Sequence, residues 1–320
     1  MNINIEPFNT KDESIWDKFC DESYQATFLH TRRYLSYHGA RFIDQSVIIK
    51  LKGRWLGLLP AAQSLQDPTC VVTHPGITYG GVVHQGELQG ALMITAIETI
   101  KRYYARLGYM TLQYKSVPTF YHRVPAQDDL YALFRLGARR YRCDLSSAID
   151  LQNRQSISQR RKRSLIRALK SGVVVVNDIK NLPRLWEVLE ANLAKKHATH
   201  PVHSINEMEI LTKLFPSNIF CICGMLNSTV VSGLVLFFTK TTCHAQYIGA
   251  SQDGYDVSAL DAVFDYAIKL ALDGGKRWFN FGISTESNGT VLNDGLYRFK
   301  TEFGGGGVAH EFFELDLLEC

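Results

Sequence analysis

Lys300 stands among Tyr297, Phe299 and Phe303, just before Gly304-Gly305-Gly306-Gly307. An ammonium in such a setting can hold a phosphate or the oxyanion of an acyl-transfer intermediate. The plainer reading is a lysine lying along apolar neighbours with its head in water. Upstream, Glu286 and Asp294 flank Asn288-Gly289 and Asn293. Amide formation needs an unprotonated amine, and a carboxylate at that point can take the proton. Glu286 ranks above Asp294 because it lies closer to Phe279-Asn280-Phe281-Gly282, a strand-like run that ends at a glycine. Strand ends that open into polar, glycine-containing loops are common seats of chemistry in α/β proteins. A merely solvated loop carboxylate is the competing reading.

Three more clusters carry reactive or binding groups. His74-Pro75-Gly76-Ile77-Thr78-Tyr79-Gly80-Gly81 is a glycine-rich loop with a histidine and a tyrosine. Lys115-Ser116-Val117-Pro118 and Tyr121 follow a strand-like run. Phe28 to Gly39 is rich in ring and basic groups, His30 and His38 among them. Histidines scattered over three loops lack the spacing of a metal site, so no metal is expected. Each taken alone reads better as a packed, hydrogen-bonded ring. Farther along, Arg160, Arg163, Arg167 and Lys170 recur at spacings of three and four, and no acid occurs from Leu151 to Asn177. A helical face of that kind suits phosphates; a solvated face bridged to acids elsewhere is the alternative.

These residues need elements to hold them, and the elements repeat. Val47 to Pro60 reads as a hairpin about a basic glycine turn, and Cys221 to Leu236 reads the same way about Asn227-Ser228. Gly233 falls where Gly57 falls. A helix is expected after each hairpin, over roughly Glu87–Leu107 and Ser258–Leu272, the second with a capping box from Ser258 and Asp261. Each ends at a glycine, Gly108 and Gly274, and leads into a strand, Tyr109–Tyr114 and Arg277–Phe281. Between the two series, Ser156 with Gln159 predicts the start of the basic helix, which runs to about Lys170 and stops at Gly172, with Ile157, Leu165 and Leu169 on its apolar side. The order hairpin, loop, helix, strand thus occurs twice. It predicts an α/β (α+β) chain of two units, residues 1–150 and 151–320, each a mostly antiparallel sheet flanked by helices.

The chain has 320 residues, 46% of them hydrophobic and 21% charged, which fits a folded protein of two ordinary domains. A formal charge of +4 does not by itself require a nucleic-acid or membrane partner, and no DNA partner is expected. The first eighteen residues are too charged for a secretory signal, and no apolar run is long enough to span a bilayer. The seven cysteines are scattered and odd in number. Cys221 and Cys223 fall in a strand-like run and are read as pointing to opposite faces. Reduced thiols in a cytoplasmic protein are the expectation.

The C-terminal segment, "FNFGISTE" running on to "KTEFGG", resembles the signature of tandem acyltransferases related to the FemABX and GNAT families. In those, a "DFG" strand end precedes "STE" and "K-x-x-FG" follows. Asn280 stands where the family more often has Asp. The resemblance covers about Phe28 to Phe313 and includes "FLHTRRYLSYHG", "HPGITYGG" and the lysine, proline and tyrosine of Lys115 to Tyr121, which are similar to relatives in envelope-polysaccharide gene sets. It implies two tandem GNAT-like units and an N-acyltransferase. An acyl-CoA donor would transfer to an amino group of a nucleotide-linked sugar or another envelope precursor. Lys300 and Glu286 would be catalytic. His74, Tyr79, Lys115 and Tyr121 would bind the acceptor, and Asn293 would bind substrate. Tyr247 would sit on the strand where the acyl donor pairs, and Arg160, Arg163 and Arg167 would meet phosphates. The usual GNAT pyrophosphate loop pattern is absent: only Gly254 remains, beside Asp253 and Asp256. Two other readings stand beside this one. The first is an aminoacyl-tRNA-dependent ligase of FemABX type. The second is a non-catalytic binder of a glycan precursor or a protein.

Overall fold

The computed structural model describes residues 3–197 and 201–318. The chain forms two compact units, neither continuous in sequence. The first comprises Met1–Asp144, Ser287–Thr290 and Ala309–Cys320; the second comprises Leu145–Glu286 and Val291–Val308. The fold is mixed α/β, as the repeat predicts. No helix among the described residues is long and apolar enough to cross a membrane.

In the first unit, β1 (Ile3–Pro7), β2 (Val47–Leu51) and β3 (Arg54–Leu59) pair antiparallel. The β2–β3 turn is Lys52-Gly53, both with positive φ, which matches the twist of a two-residue hairpin. Then come the short strands β4 (Ala62–Gln63), β5 (Cys70–Val72) and β6 (Val83–His84). The helix α1 (Glu13–Glu22) covers Ile48, Leu58 and Val83 with Trp16 and Phe19. The short α2 (Arg32–Leu35) precedes α3 (Ala91–Arg106), which buries Met93, Ala96, Ile97, Ile100 and Tyr104. That helix begins later than the sequence predicts, because Gly90 adopts a positive φ immediately before it. It ends as expected before Gly108, whose φ is +89°. The chain then returns through β7 (Thr111–Lys115) and α4 (Asp128–Arg135).

In the second unit the hairpin recurs. It follows β8 (Arg139–Asp150), which begins in the first unit, then α5 (Gln159–Lys170), β9 (Val174–Asn177), α6 (Leu182–His197) and α7 (Ile205–Leu214). The strands β10 (Ile219–Leu226) and β11 (Thr229–Phe238) turn at Asn227 and Ser228, both with positive φ. Next come β12 (Thr242–Ala250), the short α8 (Gln252–Asp256), α9 (Ala259–Asp273) and β13 (Trp278–Ile283). A two-strand hairpin, β14 (Thr285–Glu286) and β15 (Val291–Leu292), leads to α10 (Asp294–Thr301) and β16 (Gly306–Asp316). Strand β16 ends in the first unit, where Phe312–Asp316 pairs antiparallel with β7.

The second unit's core lies between α9 and the sheet. Val263, Phe264, Ala267, Ile268 and Ala271 meet Leu234, Leu236, Phe279 and Phe281. The other face is covered by α6, which approaches so closely that side chains at Gly233 and Gly249 would strike Leu185 and Leu189. Sequence and structure part at four points here. Ser258 makes no capping bond; it sits in the left-handed region, and Asp261 is engaged elsewhere. The cap of α5 is Ser158, which accepts from Arg161 N at 3.2 Å, rather than Ser156. On α5 the buried residues are Arg161 and Ala168, seven apart and so on one face, while Leu169 is 59% exposed. Finally, Cys221 and Cys223 share a face, with sulfurs 3.7 Å apart, because a spacing of two along a strand returns to the same side.

Candidate functional site

Each unit contains one short parallel ladder produced by its helical crossover. In the second unit it consists of Thr242 with Trp278, Cys243 with Phe279, and His244 with Asn280. There the pairing stops. Strand β12 continues to Ala250 with a bulge at Gln246, where Val235 pairs Tyr247 and Leu236 pairs Ala245. Strand β13 runs on to Ile283 with a shift of its register against β8 after Asn280. The two continuing ends are not paired with each other.

Lys300 reaches this parting from α10. Its Nζ donates to Gly282 O at 3.0 Å and Ile283 O at 2.5 Å, the last residues of β13. Burial alone lowers its pKa to about 7, since no carboxylate offsets the lost hydration. An ammonium there has a third N–H beyond the two spent on carbonyls, and a neutral amine has a lone pair in its place. The helix that carries Lys300 is set by Asn293, whose Oδ1 accepts from Leu296 N at 3.0 Å. The Nδ2 of Asn293 donates to Glu286 Oε1 at 3.0 Å, and its backbone N–H to Ser284 O at 2.9 Å. Lys300 thus hangs from the last carbonyls of β13, and just beyond them the exposed Glu286 bonds to Asn293 at the start of the same helix. The glycines that follow serve close packing: side chains at Gly304 and Gly305 would strike the carbonyls of Gln155 and Ala148.

Arg161 carried no special signal in the sequence beyond its place in a basic run. It is buried and donates to both carboxylate oxygens of Asp261, at 2.9 and 3.1 Å, and to Glu302 Oε2 at 3.1 Å. Its guanidinium lies over the rings of Phe299 and Phe303. Both rings and Glu302 flank Lys300 in sequence, so Arg161 fixes the segment bearing that lysine. Arg160, Arg163 and Arg167 face outward, with Arg160 3.9 Å from Glu302.

Tyr247 is held by its own unit: its hydroxyl lies 2.5 Å from His203 Nδ1 and accepts from His203 N at 3.2 Å, and Trp186 stacks on it edge-on. Among the described residues, Trp186 Nε1, Gln246 Oε1 and Ser284 Oγ are buried polar atoms of this unit left without a partner. Buried orphans of this kind are few in folded proteins. Ser284 lies next to the carbonyls that hold Lys300.

The loop after β12 offers little to a pyrophosphate. Gly254 N donates to Ser251 Oγ, Tyr255 N to Ser251 O, Val257 N to Asp253 O and Ser258 N to Tyr255 O. These amides bond within the loop, next to Asp253 and Asp256.

The first unit's ladder pairs Cys70, Val71 and Val72 with Thr111, Leu112 and Gln113. Its parting is filled by the chain itself. Thr73 N donates to Gln113 O, Lys115 N to Thr73 Oγ1, and Gly80 N to Lys115 O. The Nζ of Lys115 donates to His74 O at 3.0 Å and to Ile77 O. Burial, with Arg142 as a lesser cause, lowers its pKa to about 7. The rings of Tyr79 and Tyr121 lie 4.2 Å apart, and Tyr79 donates to Thr27 Oγ1 at 3.2 Å. His74 is buried and its Nδ1 accepts from Gly76 N. The four residues expected on the acceptor side are thus brought together, but their polar groups bond within the unit.

No protein-family model matches the sequence, and no curated protein matches it either. The fold does find likenesses. FemX shares 11% identity at a TM-score of 0.69, covering 98% of this chain and 97% of that one. A tandem GNAT protein from the clavulanic acid biosynthesis pathway shares 11% at 0.56, covering the whole of both chains. L-PGS from Bacillus licheniformis shares 11% at 0.59, over 85% of this chain and 83% of that one. At such identities the likeness is one of fold, and this chain has the fold of tandem GNAT-like proteins.

Proposed function

We propose that the protein is an amide-forming N-acyltransferase whose chemistry takes place in the second unit. The observation that carries this reading is the contrast between the two partings. The first is stopped by its own loop, whereas the continuing ends of the second stay unpaired with each other beside Lys300. The acceptor is an amino group, of a nucleotide-linked sugar or another envelope precursor, that attacks an activated acyl carbonyl.

In that reaction the amine nitrogen bonds to the carbonyl carbon, and the carbonyl oxygen takes the electron pair. Lys300, as the ammonium, offers its third N–H to that oxygen while the Gly282 and Ile283 carbonyls hold it in place. The oxyanion then re-forms the carbonyl and expels the leaving group. The proton lost by the amine passes to Glu286, which Asn293 orients. Arg160, Arg163 and Arg167 meet phosphates of a substrate from their exposed face. Tyr247 lines the donor strand.

Acyl-CoA is the first donor to test. A second reading, aminoacyl-tRNA, is favoured by two observations: the amides after β12 are occupied, and α5 exposes Arg163, Arg167 and Lys170. Purified protein would be incubated with a panel of acyl-CoA donors or aminoacyl-tRNAs and amino-sugar nucleotides, and products read by mass spectrometry. An amide-linked mass increase supports the proposal, and ribonuclease sensitivity assigns the donor. No product from any donor rejects it in favour of a binding protein.

A further inference from the structure

Asn280 is fully buried and His244 nearly so, and they face each other at the last rung of the second unit's parallel ladder. The amide of Asn280 has one possible orientation. Gly282 N can only donate, and it lies 3.0 Å from Oδ1. The hydroxyl of Ser146 donates to the same oxygen at 2.6 Å. The other end of the amide, Nδ2, therefore carries the hydrogens and faces His244 Nδ1 at 3.0 Å. An amide nitrogen has no lone pair to offer, so Nδ1 must be the acceptor. The ring proton then resides on Nε2.

We propose that Asn280 is a positioning residue that locks His244 into the Nε2–H tautomer, so neither ring nitrogen is left with a free lone pair to act as base in the acyl-transfer site. An imidazolium would set Nδ1–H against the hydrogens of Nδ2 and lose this bond. The ring lies beside the atoms the proposed chemistry uses. Its Cε1 edge is 3.6 Å from where a side chain on Gly282 would begin, and the Gly282 carbonyl holds Lys300. Amine deprotonation is left to Glu286. The role of the ring rests on the acyltransferase reading; the tautomer does not.

Long-range ¹H–¹⁵N correlation of the histidine rings in ¹⁵N-labelled protein tests the lock directly, with His244→Gln used to assign the signals. The wild type is expected to show Nε2–H at neutral pH. Asn280→Asp keeps acceptors for Ser146 and Gly282 and accepts from the ring, so it is expected to move the proton to Nδ1. An Nδ1–H ring or an imidazolium in the wild type overturns the proposal, and so does a tautomer unchanged in Asn280→Asp. The wild-type spectrum decides the first point even if the variant fails to fold. Where a product is formed, Asn280→Asp is expected to lower kcat about tenfold or more with little change in KM. A protein that shows the Nε2–H spectrum but forms no product with any donor keeps the lock and rejects acyl transfer.

Discussion

Arg161 grips Asp261 through both carboxylate oxygens, at 2.9 and 3.1 Å, with both side chains buried. Burial outweighs the attraction of Arg161 and holds the Asp261 pKa at about 6. The pair joins α5 to α9, and the bond to Glu302 extends it to the segment that carries Lys300. Removing one partner of a buried ion pair leaves the other uncompensated and costs about 3–5 kcal/mol. Arg161→Leu is expected to destabilise the protein by about that amount in urea unfolding. Arg160→Leu, on the exposed face, is expected to change stability by less than about 1 kcal/mol. Equal effects from the two would show that the buried network is not a structural tie.

The two buried lysines make stability depend on pH in a defined window. In the folded chain Lys115 and Lys300 give up their protons near pH 7, whereas unfolded lysine holds its proton to about 10.4. Between those values the unfolded state binds more protons, so stability rises with pH, by about 1.4 kcal/mol per pH unit for each lysine. The rise ends near pH 10, where burial holds Tyr79, Tyr104 and Tyr114 un-ionised in the fold but not in the unfolded chain. Urea midpoints measured from pH 7 to 9 should climb. They should climb less in Lys115→Met and Lys300→Met, and an identical slope in all three proteins would refute the assignment.

Lys300→Met removes the donor proposed for the oxyanion and retains an unbranched side chain of similar length. Loss of one such donor lowers turnover by about 10²–10³. The expected result is that fall in kcat with substrate affinity retained. Lys115→Met in the self-filled parting is expected to alter stability more than turnover. The reverse ranking would move the chemistry to the first unit.

The buried thiols should be silent. The hydrogen bond with Cys223 and then burial push the Cys221 thiol up, and burial does the same for Cys243. Alkylation by iodoacetamide at pH 8 depends on thiolate and access. Cys143, only half buried, is expected to react first among the described thiols, and Cys221 and Cys223 only after unfolding. Early labelling of the Cys221–Cys223 pair in the native protein would mean that β10 opens.

Much of the fold was written locally. The turns at Lys52-Gly53 and Asn227-Ser228, the helix stop at Gly108 and the amphipathic α3 and α9 depend on neighbours a few residues away. A single chain read from end to end can register such signals. Even the shared face of Cys221 and Cys223 was available from strand period alone. The cap of α5 was missed because Ser156 and Ser158 compete two residues apart, and the start of α3 because Gly90 takes a positive φ just before it.

What only the tertiary structure decided are relations between distant residues. It placed Arg161, and not its exposed neighbours, against Asp261. It buried two lysines among backbone carbonyls, which lowered their pKa by desolvation. It filled one parting with the loop from Thr73 to Gly80 and left the equivalent ends of β12 and β13 unpaired. It turned Asn280 so that His244 must accept at Nδ1. Residue types and short spacings determined which groups were at hand and which elements carried them. The protonation, partners and access of those groups follow from burial and long-range hydrogen bonds, which exist only once the strands are side by side.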